Sequence, residues 1–533
     1  MVKKVLCPTR PSKPRCLGRS RLLYALYSLR LSWQFAMRYA LCAMPPHPLP
    51  LPRGERGRVR GTLRSSFLLS AMLSALCVFI LLGCQTAISR LRPPLENEGE
   101  VYLYLQSLPQ EAERLRFTIE GISALSPDGR AFPLLLSLRE IKGRDLRRQR
   151  LLAFGPLPPG TYSGLLFKVK SAILTGEDGE AALFIPEEPA RIDFPFNLSR
   201  KKAQLLSLTF KYKESIKGGF SFSPVFSVLI PARPLTSLTG YVTNHDSNNI
   251  IVFDKRLNQA ASVIVTGRGP AGMALDPMRR RAYVALTGDD TIEYIDVAAG
   301  EVFDRIRLNT GDHPQEIVLT PDGKMLLSVN AGSNTVSFID PLSLLEISRI
   351  NVGRGPNSIL LDRTGRKAFV FNTVSSTVSV LDVPNRRLIT NISTGSGPLR
   401  GQLNRRGDRL YVIHELTSYL AAIDPNLLTV VGSFKVKMGM NAIKVDTNTD
   451  LIYLGRKSDI MVEAYNPFSF VPVDYVRTGG GTNYMSIDGE VSNLYILNSE
   501  TKNLMVFNLN SKKMVAEMDV GEGPYWVTMM GER

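Results

Sequence analysis

Five cysteines, four histidines and two tryptophans are the scarcest side chains of this 533-residue chain, and their placement limits its chemistry. Cys7, Cys16, Cys42, Cys77 and Cys84 are all N-terminal. The rest of the chain therefore has no disulfide, thiol nucleophile or cysteine metal site. His245, His313 and His414 are spaced through the second half. Imidazoles suit metal binding or proton transfer, but these three fall in different repeat units and need not converge, so they read as polar turn residues. Arg268, Glu316, Arg354 and Asn357 lie near one face of the repeats; as rim charges they read as solvated. Trp526, beside Tyr525, reads as core packing rather than a ligand platform. Gly479-Gly480-Gly481 lacks the Lys-Ser/Thr of a phosphate loop. There is no Gly-x-Ser-x-Gly elbow and no Cys-x-x-Cys-His. The expectation is no catalytic residue, no metal and no cofactor.

The elements that must position these residues repeat. Corners stand at Gly267-Arg268-Gly269-Pro270, Gly311-Asp312-His313-Pro314, Gly353-Arg354-Gly355-Pro356, Gly395-Ser396-Gly397-Pro398, Lys437-Met438-Gly439-Met440, Gly479-Gly480-Gly481-Thr482 and Gly521-Glu522-Gly523-Pro524. Their fourth residues are 44 positions apart once and then 42 apart five times. About forty residues with four short strands is one propeller blade. Glycine gives the corner its positive φ, and proline fixes the exit. Asp254, Asp296, Asp340, Asp382 and Asp424 recur at the end of the third strand, where Asx turns are expected.

Tyr241 to Val265 supplies three strands with no first strand, and Pro524 to Met530 supplies a first strand alone. Joined, they complete a seventh blade and remove the free edge. Tyr241-Val242-Thr243-Asn244 resembles the signature of seven-bladed YVTN-repeat propellers, the YncE-like and surface-antigen-like proteins of bacterial and archaeal envelopes. Tyr283-Val284-Ala285, Tyr411-Val412-Ile413 and Tyr495-Ile496-Leu497-Asn498 are weaker copies. The resemblance covers residues 238–533 and implies the fold. It says little about activity, because the family holds members with no known activity beside lactonase-like and quinoprotein-like ones.

Residues 100–233, ahead of Ala232-Arg233-Pro234-Leu235, show period-two patterning, as in Leu206 to Lys213. Seven or eight strands predict an antiparallel β-sandwich, with Glu140 to Gln149 either a helix or a loop. Pro158-Pro159-Gly160-Thr161-Tyr162 resembles the corner of transthyretin-like sandwiches. Lys168, Lys170, Lys211 and Lys213 read as a solvated face, and Asp128 and Asp178 as turn residues.

The net charge is +17, but residues 1–83 carry 14 Lys+Arg and one acid. From Cys84 onward 51 basic residues face 47 acidic ones, so nucleic-acid binding is not expected. Residues 1–57 are rich in Pro, Gly and Arg and cannot bury a core; they read as a disordered leader or a misplaced start, with translation beginning near Val59 or Leu63. Residues 58–83 pair a basic start with the apolar run Phe67 to Leu82, a signal peptide. Leu81-Leu82-Gly83-Cys84 resembles the bacterial lipobox, which implies cleavage before Cys84 and diacylglycerol on its sulfur. Gln85 takes the place of the Asp that retains some lipoproteins at the inner membrane. Residues 84–99 read as lipidated cysteine and tether.

The reading is all-β: an antiparallel β-sandwich followed by a seven-bladed β-propeller closed by N- and C-terminal strands. The expected function is that of an envelope lipoprotein, held in the bilayer through Cys84, outer membrane favoured, facing periplasm or surface. Its propeller is expected to bind a protein, peptide or glycan without catalysis. The candidate face is Arg268, Asp312, His313, Arg354, Asn357, Ser396, Met438 and Glu522. The alternative is a periplasmic hydrolase or redox enzyme.

Overall fold

The computed structural model describes residues 92–143, 148–177 and 179–532. The leader, the signal run, Cys84 and Asp178 lie outside the described residues.

Residues 99–229 build two larger sheets. One orders its strands Phe226–Leu229, Ala203–Phe210, Gly99–Leu105, Arg150–Leu157 and Leu135–Leu136. The other is centred on Leu115–Leu125 and Gly160–Gly176. Gly99–Leu105 runs parallel to Ala203–Phe210, which departs from the all-antiparallel expectation. Of Glu140 to Gln149, Glu140–Lys142 is a strand paired with Leu115–Leu125. Lys168 and Lys211 pair with Glu120 and Glu214 on the surface.

Gly99–Leu105 is buried along its whole length. Successive side chains of a strand face opposite sides. Val101, Leu103 and Leu105 join the core between the two sheets, while Tyr102 and Tyr104 pack with propeller residues such as Ile251, Val263 and Met518. A strand covered on both faces needs a continuous apolar run, as here. The contact is also polar. Asn249 Nδ2 donates to the Tyr102 hydroxyl at 2.6 Å, which donates to Glu100 Oε2 at 2.7 Å. Arg150 and the Leu151 amide both donate to Asp519, at 2.8 and 3.1 Å.

Seven four-stranded antiparallel sheets follow. Their first strands, from Pro270–Asp276 through Pro524–Met529, touch in cyclic order, so the sheets stand around a central channel. One sheet is composite: Gln259–Val265, Asn249–Asp254, Thr239–Asn244, then Pro524–Met529 innermost. Asp254, Asp296, Asp340 and Asp424 each accept amide bonds from the turn that follows, for example Arg256 N to Asp254 Oδ1 at 2.7 Å. Recurrence there is turn chemistry. Asn244, which ends the Tyr-Val-Thr-Asn stretch, accepts from the Gly521 amide at 3.0 Å and donates to Asn249 at 2.8 Å. That side chain locks a corner to a strand end across the closure.

Candidate functional site

Corners and second-to-third-strand turns share one face. Corner carbonyls accept turn amides: Gly269 from Thr287, Gly355 from Thr373 and Gly397 from Glu415. Just below the corner, first strands carry a register shift, as between Pro314 and Glu316 or Pro398 and Arg400. Such a bulge re-aims a side chain. Two residues past each corner stand Gly272, Glu316, Ser358, Arg400, Ala442, Tyr484 and Trp526.

Four of these seven meet. Arg400 Nη1 donates to Glu316 Oε2 at 2.9 Å. Its guanidinium carbon lies 4.9 Å from the Tyr484 ring centre and 5.3 Å from that of Trp526. Tyr484 and Trp526 stack with centroids 4.0 Å apart. Weakly hydrated arginine suits such stacking. Gly272 makes room for this layer, since a Cβ there would stand 2.7 Å from Glu316 Cα. Burial pushes Glu316 up to about 7, although Arg400 and the Ile359 amide work against it. Burial alone would lower Arg400, but Glu316, Tyr525 and Tyr484 hold it above its ordinary value. Trp526 Nε1 is buried with no acceptor. Above the layer, the Tyr525 hydroxyl donates to Gln315 at 3.1 Å.

The expected face is divided. Arg354, Ser396 and Met438 are exposed at their corners. Arg268 is exposed and pairs with Asp289 at 2.6 Å; Glu522 pairs with Lys502 at 2.7 Å. His313 is in the left-handed region at φ 48, its amide donating to Asp290 at 2.8 Å. Asp312 is a correction: it is 1% exposed and held by both Arg349 nitrogens at 2.7 and 2.8 Å. Asn357 is tied to the neighbouring first strand, its amide donating to the Leu399 carbonyl at 3.4 Å. Asn441 and Asn483 make the matching inter-strand bonds. Glu316 lies in the channel rather than on the rim, and Trp526 packs beside a cation. Arg400 and Tyr484 escaped sequence reasoning; the signal was their position in the repeat.

Two of the three histidines do converge. His245 Nε2 lies 2.9 Å from Thr287 Oγ1, and His313 Nδ1 lies 2.9 Å from the Thr287 carbonyl oxygen. His245 Nδ1 is 2.7 Å from Asp246, so the distances mimic an acid–base–hydroxyl triad. The hydroxyl proton, however, has another acceptor. Thr287 Oγ1 donates to Gly269 O at 3.1 Å, as Thr373 Oγ1 donates to Gly355 O at 2.9 Å. A bond shared by two repeats is structural, and Thr287 is not an activated nucleophile. His414 is buried, donates from Nδ1 to Tyr419 O at 3.1 Å, and is lowered by that burial. Among the described residues no group of three or more His, Cys, Asp or Glu could hold a metal.

Fold and channel together define a β-propeller protein. Residues 234–400 match the family model of the YNCE-like beta-propeller. No curated protein matches the chain. Solved structures similar to it include hydrazine synthase of Kuenenia stuttgartiensis, at 16% identity over 52% of this chain and 94% of that one, TM-score 0.47. A functionally unknown protein from Desulfotomaculum acetoxidans matches at 16% identity over 55% and 98%, TM-score 0.48. The dihydro-heme d1 dehydrogenase NirN, in complex with DHE, matches at 11% identity over 56% and 77%, TM-score 0.45.

Proposed function

We propose that this is a lipid-anchored protein of the bacterial envelope whose propeller serves as a non-enzymatic binding scaffold, with the corner-bearing face as its binding face. One observation carries the reading. The backbone bonds of the corners repeat, while their second residues (Arg268, Arg354, Ser396, Met438, Glu522) differ in charge, size and polarity. Constant joints with varied side chains are how a scaffold presents a specific surface.

The start of the described chain meets the same face. Arg92 donates its amide to Asp246 O and accepts from Asn248 Nδ2, both in a turn of the corner-bearing face. Cys84 is eight residues upstream, a reach of roughly 28 Å at full extension. The second reading, a periplasmic hydrolase or redox enzyme, draws on Glu316, a carboxyl poised about 7 in a channel.

Photo-crosslinkers at Ser396 and Met438 of the native, lipidated protein test the scaffold. The expected result is one envelope partner captured from both positions and none from Thr364 on the opposite face. Intact mass reads the lipid on Cys84. No capture, together with turnover of a lactone or alcohol panel, reverses the reading.

A further inference from the structure

The face opposite the corners has a charge pattern that the chain total conceals. It carries the turns between the first and second strands. In four consecutive blades these turns are residues 276–281, 320–325, 362–367 and 404–409, with ten Lys+Arg against four Asp, a surplus of six. That exceeds the surplus of four carried by everything from Cys84 onward. The next two turns, 446–451 and 488–493, hold Asp446, Asp450, Asp488 and Glu490 and no base. The first-to-second-strand turns are thus segregated by charge around the ring, while the third-to-fourth-strand turns beside the four basic ones add Asp296, Glu301, Asp340, Asp382 and Asp424 against Arg386 and Arg387, a distribution that shapes a local field.

The basic turns form a continuous arc. Arg279 Nη1 donates to Gly323 O at 3.1 Å. A Cβ on Gly365 would stand 2.5 Å from Pro321 Cδ, so those turns touch. Arg363 Nη2 donates to Asn404 O at 3.4 Å, and the Arg405 amide to Asp450 Oδ1 at 2.6 Å. Along the arc Arg280, Arg363, Arg366, Arg405 and Arg406 are exposed. Among the described residues the guanidinium groups of Arg363 and Arg405 reach only backbone carbonyls. The remaining three show no carboxylate partner among the described residues, whereas Arg279 and Arg409 pair with Asp276 and Asp424.

We infer that this arginine arc binds an acidic polysaccharide chain. Guanidinium forks match carboxylate geometry and remain charged at any physiological pH. An arc across four turns suits a polymer bearing anions at intervals rather than one small ion. The choice of a glycan over nucleic acid or lipid rests on the envelope reading above.

The test uses the full-length protein in detergent micelles, with polygalacturonate, neutral dextran, phosphatidylglycerol vesicles and duplex DNA as probes. Polygalacturonate is expected to bind, more weakly as salt rises. The R366E/R406E double variant, altered only at exposed turn positions, should bind it roughly tenfold more weakly with unchanged Tm. Lys217→Glu, on the other domain, should bind as the parent does. Equal binding of neutral dextran, equal loss in Lys217→Glu, or tighter binding of vesicles or DNA overturns the proposal. Absence of lipid on Cys84, read by mass, counts against the anchoring alone.

Discussion

Arg400 bonds to Glu316 from two blades away, past the blade that carries Ser358, and the two oxygen and nitrogen atoms stand 2.9 Å apart. Neither residue is near the other in sequence; Glu316 is buried and Arg400 mostly so, with side chains 5% and 12% exposed. Breaking one partner of such a pair leaves an uncompensated charge. Arg400→Met is expected to cost about 3–5 kcal/mol in urea denaturation. Adding Glu316→Gln to it should restore most of that loss. Equal stability of the single and double variants would show that the pair is not coupled.

The raised carboxyls set a pH dependence with a definite sign. Burial pushes both Glu316 and Glu293 up to about 7, above the ordinary 4.5. The folded state holds these protons more tightly than the unfolded state. Their contribution is therefore complete below 4.5 and is lost as pH rises through about 7. The urea midpoint of the wild type should fall between pH 5 and pH 8 by more than that of the E293Q/E316Q double variant. Parallel profiles would refute the assignment.

Trp526 is the only tryptophan after Trp33 and lies against Arg400 and Tyr484. Its emission reports on the channel layer. Arg400→Met should shift that emission, whereas Arg366→Glu on the far face should leave it in place. A shift in both would mean that the fluorescence follows the whole fold.

The Tyr102 hydroxyl is one of the polar links between the Gly99–Leu105 strand and the propeller. Tyr102→Phe leaves Glu100 and Asn249 each short of a bond, an expected loss of about 1–3 kcal/mol. Limited proteolysis should then release the propeller from the N-terminal domain faster than in the wild type. An unchanged digestion rate would place the holding force in the apolar contacts around Ile251 and Val263 or in the bonds to Asp519.

Much of the fold is legible because sameness is easy to see. The corners recur at constant spacing, and the Asp turns recur with them. The channel layer is hard to see for the opposite reason. Glu316, Arg400, Tyr484 and Trp526 occupy one repeat position yet share no chemistry, so a search for likeness passes over them. Asp312 looked exposed because it stands in a corner; its partner Arg349 is 37 residues away. The parallel pairing of Gly99–Leu105 with Ala203–Phe210 is a long-range choice of neighbour that local alternation cannot report. The arginine arc vanished into a net charge because its acids lie in other turns.

The composite blade also gives the molecule an order of assembly. Pro524–Met529 is the innermost strand of a sheet begun nearly three hundred residues earlier, and it delivers Tyr525 and Trp526 to the channel. Until that strand docks, Thr239–Asn244 keeps an open edge and Arg400 lacks half of its aromatic bed. Closing the ring and finishing the channel thus depend on the same strand. A chain stalled before residue 524 would display six complete sheets and a three-stranded seventh with a pairing edge, the form that a quality-control protease or chaperone can tell from the finished protein.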